Sequence, residues 1–151
     1  MIENIFDKDG LRVLVSRIQA LKPDSQRKWG KMNVAQMLAH CNVGFELAYE
    51  SKHPAPGRFK RFMLKTFVKK GVVNEVPYKK NSPTASVFKV ASEQNFMVEQ
   101  QRLISFLERT HNLSSAHFEG KAYVSFGRLT STEWNNLFAK HLDHHLTQFG
   151  V

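Results

Sequence analysis

Histidine is the residue type that carries the clearest chemical signal in this sequence. The chain contains 7 histidines, and three of them fall in the short segment His141-Leu142-Asp143-His144-His145. Residues four apart on an α-helix lie on one face with Cβ atoms about 5–6 Å apart, so His141 and His145 can bind a single metal ion. Such a pair arises by chance in roughly one sequence in four of this histidine content, so the spacing alone is weak support.

The positions of the histidines on their helices strengthen this support. At 100° per residue, His141 and His145 lie on the apolar side of the last helix, which is made by Trp134, Leu137, Phe138 and Phe149. His40 lies on the apolar face of an earlier helix. A lone core histidine is more often structural than a ligand. Burying three imidazoles, however, costs several kcal/mol unless each has a partner, and one metal ion satisfies all three.

Three histidine ligands leave a fourth coordination position open, as in catalytic rather than structural sites. On Zn²⁺ a water in that position can reach a pKa near 7, and a thiolate can occupy the same position. Imidazole suits zinc, nickel, iron and copper alike, so the ligand set does not choose the metal. Gly44, one turn beyond His40, either leaves space beside the ion or allows close helix packing.

Other candidate residues near the histidines carry less weight. His144 is the nearest spare titratable group, with an expected role beside the ligands or at the surface. Cys41 is turned about 100° away from His40, so a core or boundary thiol is favoured over a ligand or nucleophile. Glu46 lies off the apolar stripe of its helix, which predicts a solvated carboxylate. No carboxylate is placed by the pattern to face the ion.

Helix-start signals place the three histidines on two well-defined helices. Asn33 with Gln36 and Thr130 with Glu133 form capping-box patterns, so one helix is predicted from Asn33 to Tyr49 and the last from Thr130 to Gly150. The remaining predictions are helices at Lys8–Leu21, Arg58–Lys70 and Ser92–His111, an irregular stretch at Asn74–Thr84, and short extended pieces at Ala85–Ala91 and Ala122–Phe126. The sum is an all-α, mostly helical bundle with a short basic helix and minor extended segments.

A basic segment lies between Arg58 and Lys80. The whole chain has 22 Lys and Arg against 13 Asp and Glu, a formal net charge of +9. In this segment eight basic residues accompany a single acid, Glu75, and apolar residues are interleaved with them. A solvated helix face with snorkelling lysines is the favoured interpretation, and the alternative is an anion-binding surface. The candidate anion-binding residues are Arg58, Lys60, Arg61 and Lys65.

Composition excludes several classes of protein. A length of 151 residues fits one domain, and no stretch approaches the ~18 apolar residues of a membrane span. The acidic N-terminus does not resemble a signal peptide, and Cys41 is the only cysteine, so a disulfide scaffold is excluded. Phosphate-binding glycine loops, nucleophile elbows and zinc-finger spacings are absent. We therefore expect a soluble, cytoplasmic, single-domain protein.

Three segments carry a resemblance to a known group of proteins. The segments WGKMNVAQMLAH at 29–40, SFGRLTSTEW at 125–134 and HLDHHLTQFG at 141–150 resemble the DinB-like superfamily of metalloenzymes, within a branch of unknown function. The resemblance spans nearly the whole chain, and it implies a single four-helix-bundle domain over residues 1–151. In that superfamily one histidine from the second helix and an HxxxH pair from the last hold the metal, which map onto His40, His141 and His145.

The resemblance also implies a type of reaction. Characterised members of the superfamily include metal-dependent thiol S-transferases and an isomerase that uses a low-molecular-weight thiol. The leading hypothesis is therefore a metal-dependent enzyme that holds a divalent ion, Zn²⁺ or Ni²⁺, and acts as a thiol-dependent S-transferase or a hydrolase on a small-molecule substrate. The basic segment could help to hold an anionic thiol.

Two alternatives remain open at this point. One is a non-catalytic metal-binding bundle, and the other is a protein that binds nucleic acid or an anionic surface through residues 58–80. Nucleic acid is the less favoured partner. Bundles of this size often dimerise, so a homodimer is one expected assembly.

Overall fold

The computed structural model describes residues 2–151 and is mostly helical. Its helices are α1 (Lys8–Ala20), α2 (Val34–Tyr49), α3 (Arg58–Met63), α4 (Lys69–Val73), α5 (Phe96–Phe118) and α6 (Ser131–Gln148). A π-helical turn, Leu64–Val68, joins α3 to α4, and Ser86–Phe88 forms a 3₁₀ turn. Two short antiparallel strands, β1 (Ala122–Tyr123) and β2 (Gly127–Arg128), pair Ala122 with Arg128. The predicted all-α bundle with minor extended segments is confirmed.

The four long helices α1, α2, α5 and α6 enclose the core. It contains a group of packed aromatic side chains, with Phe45 of α2 stacked on Phe138 of α6 at a ring-centroid distance of 4.3 Å. Trp134 and Phe118 are also buried there. Helix α2 is buried along most of its length, because it packs against both α5 and α6. A polar side chain on α2 therefore has little access to water unless a cavity reaches it.

Two capping boxes fix the start of the helices that carry the histidines. The Asn33 side chain accepts a hydrogen bond from the Gln36 backbone at 2.8 Å, and the Gln36 side chain accepts one from the Asn33 backbone at 3.1 Å. Thr130 and Glu133 make the same reciprocal pair at 3.2 and 2.9 Å. Each box satisfies two backbone donors that a helix start leaves free. Both predicted caps are confirmed.

Three predicted elements differ from the structure. Ala85–Ala91 is not a strand but contains the turn Ser86–Phe88, since no neighbouring strand pairs with it within residues 2–151. The basic helix is interrupted by the π-turn and runs to Val73. Helix α5 starts late, where Asn95 caps the Val98 backbone at 3.1 Å, and it continues to Phe118 through a kink at Ser114 with φ 64°.

The segment from α3 to α4 is held against α6 by polar contacts. The Lys140 ammonium donates to the backbone oxygens of Gly71 and Asn74 at 3.0 and 2.7 Å, and Asn136 donates to that of Val73 at 2.9 Å. These bonds satisfy carbonyl groups at the end of α4. Burial lowers the pKa of Lys140 to about 8. Within residues 2–151, no helix combines the length and apolar character that a bilayer crossing requires.

Candidate metal centre

Three imidazoles converge between α2 and α6. The ligand atoms of His40, His141 and His145 all lie within 4.8 Å of one another. The Nε2 atoms of His40 and His141 are 2.9 Å apart, and the ring centroids of His40 and His145 are 4.5 Å apart. The structure thus brings together the three residues that the sequence singled out, from positions about 100 residues apart.

The backbone of the 3₁₀ turn sets the tautomer of His40. Its Nδ1 lies 2.8 Å from the carbonyl oxygen of Phe88. A carbonyl oxygen only accepts, so Nδ1 carries the proton and donates it. In a neutral ring the Nε2 atom then keeps its lone pair, and this is the atom directed at the other histidines.

A glutamine sets the tautomer of His145 in the same way. Gln148 donates from Nε2 to the backbone oxygen of Trp29 at 2.7 Å, which fixes the orientation of its amide. Its Oε1 therefore faces His145 Nδ1 at 2.8 Å and accepts the proton of that nitrogen. The Nε2 atom of His145 is left with a free lone pair. Hydrogen bonds of this kind orient the histidine ligands of metal sites.

His141 completes the group and is half-buried as a residue, whereas His40 and His145 are buried. In the absence of metal its Nε2–H donates to the lone pair of His40 Nε2, because His40 offers no proton there. Ligation through Nε2 requires that proton to leave this atom, so metal binding is coupled to proton movement. A Cβ at Gly44 would lie 3.8 Å from His141 Nδ1, an ordinary contact, so Gly44 lies beside the three rings.

Burial keeps the three imidazoles neutral at pH 7. Desolvation lowers the pKa of His40 and lowers that of His141 well below its usual value, and repulsion between the rings adds to the effect. The pKa of His145 falls to about 3, again mainly through desolvation. Neutral imidazoles are the form that binds metal, and two of the three already have a free Nε2 lone pair, so the donor set fits a divalent ion once the Nε2 proton of His141 leaves. Imidazoles alone do not select between zinc, nickel, iron and copper.

A cavity of about 710 Å³ opens beside the three histidines. Its wall is largely apolar and includes Leu64, Val68 and Val72 from the α3–α4 segment. No aspartate or glutamate lines it anywhere in residues 2–151, whereas Lys31, Lys60 and Lys89 do. The cavity is therefore suited to a small molecule with an apolar part and a negative charge.

Two further side chains stand next to the ligands. The His144 ring lies 5.0 Å from that of His145 and 5.7 Å from that of Tyr78, and burial lowers its pKa, so it is a neutral base at pH 7. Burial also raises the pKa of the Tyr78 phenol to about 12, so this group keeps its proton. Together they offer one proton acceptor and one donor at the cavity wall.

Comparison with known proteins assigns the chain to a family. Residues 6–150 match the family described as "Protein of unknown function (DUF1569)". The chain belongs to this family. The matched region contains every helix of the bundle and all three histidines. No curated protein matches the chain. No solved structure matches it either.

The structure also locates the remaining candidate residues of this DUF1569 protein. Cys41 is buried with its Sγ 3.7 Å from the Met37 sulfur, and burial raises the pKa of the thiol. It is a core residue, as expected. The prediction of a solvated Glu46 is wrong. Its side chain is buried at 3% exposure and pairs with Arg102 of α5, with Lys52 and with His53.

The four candidate anion-binding residues do not converge on the cavity. Arg58, Lys60, Arg61 and Lys65 are all exposed along α3 and the π-turn, and of these Lys60 alone lines the cavity. The other three are exposed outside the cavity lining. An anion inside the cavity would meet Lys60 together with two lysines that the sequence did not single out.

Sequence reasoning missed several groups that support the centre. Gln148 could have been found, because it lies three residues after His145 and hence on the same helix face. The contribution of Phe88 has no sequence signal, since its backbone carbonyl makes the bond. Tyr78 lies next to His141 but belongs to an irregular segment. The start of that segment is held by the hydrogen bond from Lys140 to the Asn74 backbone oxygen, a contact between distant residues that sequence patterns do not show.

Proposed function

We propose that this DUF1569 protein is a metal-dependent enzyme in which His40, His141 and His145 hold one divalent ion, Zn²⁺ or Ni²⁺. The observation that carries the proposal is the convergence of three neutral imidazoles within 4.8 Å beside a cavity. A divalent ion bound there supplies Lewis acidity, which lowers the pKa of a water or thiol in its remaining coordination position.

The arrangement favours an open site over a closed structural one. Structural zinc sites have four protein ligands, whereas three histidines and a cavity are typical of sites that act on a substrate. Within residues 2–151, the ligand group contains three residues, and the nearby Cys41 points toward Met37 instead. A substrate can therefore approach the ion from the cavity side.

The protein residues around the cavity have distinct roles in this proposal. Phe88 and Gln148 hold the rings of His40 and His145 in the ligating tautomer. His144 takes the proton that an incoming thiol or water gives up, and Tyr78 keeps a donor next to it. The apolar wall excludes bulk water, which strengthens electrostatic interactions inside.

Thiol transfer and hydrolysis are the two reactions that such a site supports. The ligand pattern is the one that the DinB-like resemblance implies, and that resemblance favours a thiol-dependent S-transferase. Lysines at the cavity with no facing carboxylate suit an anionic low-molecular-weight thiol. Thiols of this kind stay reduced in the cytoplasm, where we place the protein.

The test is turnover by the zinc- or nickel-loaded protein. Cysteine and glutathione serve as thiols with 1-chloro-2,4-dinitrobenzene as electrophile, and p-nitrophenyl acetate serves as the hydrolysis probe. We expect a rate that chelation removes, that His141→Ala abolishes and that His144→Gln lowers by roughly 10²-fold or more, the usual contribution of a general base. The control is His117→Ala, an exposed histidine of α5.

A non-catalytic metal protein gives a different result in the same experiment. It would bind the ion and lose melting temperature on chelation, with no rate above that of His141→Ala for any probe. That outcome would contradict the enzyme proposal while leaving the metal centre intact.

A further inference from the structure

The α3–α4 segment exposes an unusual number of large apolar side chains. Phe59, Phe62 and Phe67 are 78%, 61% and 69% exposed, and Met63 is 40% exposed. We call these four residues the phenylalanine face. Single exposed apolar residues are normal on a protein surface, whereas a contiguous patch marks an interaction site.

The side chains of the phenylalanine face are not needed for packing against the core. The same segment already turns Leu64, Val68 and Val72 toward the cavity and buries Val73. Its apolar contacts with the bundle are thus made by other residues. The exposed phenyl rings contribute nothing to the core, and replacing them should leave the fold intact.

Basic residues flank the phenylalanine face. At 100° per residue Arg58, Arg61 and Lys65 share one side of the helix, next to Phe62. Within residues 2–151, these three make no ion pair with any carboxylate, unlike Lys69, which pairs with Glu133 at 2.9 Å. The positive charges beside the exposed rings are therefore available to an external anion.

We propose that the phenylalanine face and its basic flank dock on an anionic lipid membrane surface. A helix with exposed phenylalanines on one side and lysine or arginine beside them lies in the membrane interface, with the rings at the level of the acyl-chain boundary. The basic residues then contact headgroup phosphates. This inference does not depend on the metal centre.

Other occupants of the face fit the observations less well. In a two-fold dimer the same surface meets its own copy, and residues 58–73 contain no acidic residue that could pair with the basic flank. A nucleic acid would neutralise the basic flank and, if single-stranded, stack a base on a phenyl ring, but it offers no apolar phase that takes up the whole phenylalanine face together. An anionic membrane matches both halves of the surface at once.

Docking also has a geometric consequence for the cavity. The inner side of the docked segment carries Leu64, Val68 and Val72, which form part of the cavity wall. The membrane would therefore contact the same segment that borders the histidines.

The first experiment is co-sedimentation of the full chain with vesicles of phosphatidylcholine, with and without phosphatidylglycerol. We expect binding to the anionic vesicles only, weakening as salt rises. Replacing Phe59, Phe62 and Phe67 by serine should lower the partition coefficient at least 100-fold, since burial of each ring is worth roughly tenfold or more. Replacing Arg58, Arg61 and Lys65 by glutamine should lower it on the order of 100-fold, at about fivefold per charge.

Matched controls test whether binding depends on this surface rather than on any exposed apolar side chain or on the net charge of the chain. Met97→Ser removes an apolar side chain that is 66% exposed on α5. Lys8→Gln, Arg12→Gln and Lys22→Gln together remove the same charge from exposed positions elsewhere. These controls should retain most of the binding, and all variants should keep the helical circular dichroism spectrum of the natural chain.

A second measurement reports on insertion directly. A Phe62→Trp variant should gain fluorescence quenching by brominated acyl chains beyond that of the natural chain with its two tryptophans. Absence of vesicle binding, or equal losses in the controls, would overturn the proposal. If the chain does not bind vesicles, a dimer that the serine variant abolishes would identify a second copy as the occupant of this face. Nucleic-acid binding that the glutamine variant abolishes would identify a nucleic acid instead. Either result would overturn the proposal.

Discussion

Replacing Gln148 by leucine should weaken metal binding without touching a ligand. Gln148 is nearly fully buried at 3% exposure, accepts from His145 Nδ1 and donates to the Trp29 carbonyl. Leucine keeps the approximate volume but removes both bonds. The His145 ring then loses the group that holds its tautomer, and loss of such a partner lowers metal affinity by roughly 10- to 100-fold.

The same substitution should also destabilise the metal-free protein. Two polar groups lose their partners, and each costs about 1–3 kcal/mol if no water replaces the bond. Trp29 is only half-buried, so its carbonyl regains water, and we expect a net loss of about 2 kcal/mol. Urea denaturation measures this loss, and competition with a chromogenic zinc chelator measures the affinity.

Gln100 provides a matched control for this prediction. Its side chain donates to the Ile18 backbone oxygen at 2.8 Å, between α5 and α1 and away from the histidines. Gln100→Leu should cost stability of about 1 kcal/mol and leave zinc affinity unchanged. If Gln148→Leu is destabilised but binds zinc as tightly as Gln100→Leu, the assigned tautomer of His145 plays no part in binding and the reasoning is refuted.

Three further predictions concern pH, a buried charge and a glycine. Burial lowers the pKa of the three clustered histidines, to about 3 for His145, so below about pH 6.5 the unfolded chain binds more protons than the folded chain. Metal-free stability should therefore fall between about pH 7.5 and about pH 5.5, by about 1.4 kcal/mol for each histidine that stays neutral in the fold, as measured by denaturation at each pH. A flat profile would contradict neutral buried rings. Glu46→Gln should cost on the order of 2 kcal/mol, since Arg102 loses its buried partner yet keeps some access to water, and zinc affinity should not change. Gly30→Ala should lower both the melting temperature and the zinc affinity, because Gly30 has φ +82° and a Cβ there would lie 2.4 Å from Gln148 Nε2. Gly57→Ala is the control, since a Cβ at Gly57 would meet open space. Equal melting temperatures and zinc affinities of the two variants would contradict the prediction.

Sequence patterns predicted the elements that depend on local interactions. The capping boxes at Asn33 and Thr130 involve residues three apart, so their signal lies within a few positions of the chain. Each cap fixes the residue at which its helix begins, and the helical repeat then predicts that His40, His141 and His145 lie on buried faces. This is why the ligand group could be predicted before its geometry was known.

The features that sequence reasoning missed depend on distant partners. Glu46 is buried because Arg102, 56 residues away, supplies an opposite charge, and no local pattern encodes that pairing. The segment around Phe88 has the composition of a strand. Within residues 2–151 no strand pairs with it, so its backbone forms a turn, and the Phe88 carbonyl oxygen accepts a hydrogen bond from His40. In both cases the tertiary environment overrides local propensity.

Metal analysis by mass spectrometry measures directly whether His40, His141 and His145 hold an ion. The protein is purified without a tag or chelators, beside a His40→Ala, His141→Ala, His145→Ala triple variant and a His117→Ala control. We expect about one zinc or nickel ion per chain in the natural protein and the control, and none in a triple variant that remains helical by circular dichroism. No bound metal in the natural protein, even after incubation with zinc and nickel, would show that the three histidines are polar residues of the core and would contradict the proposed metal centre.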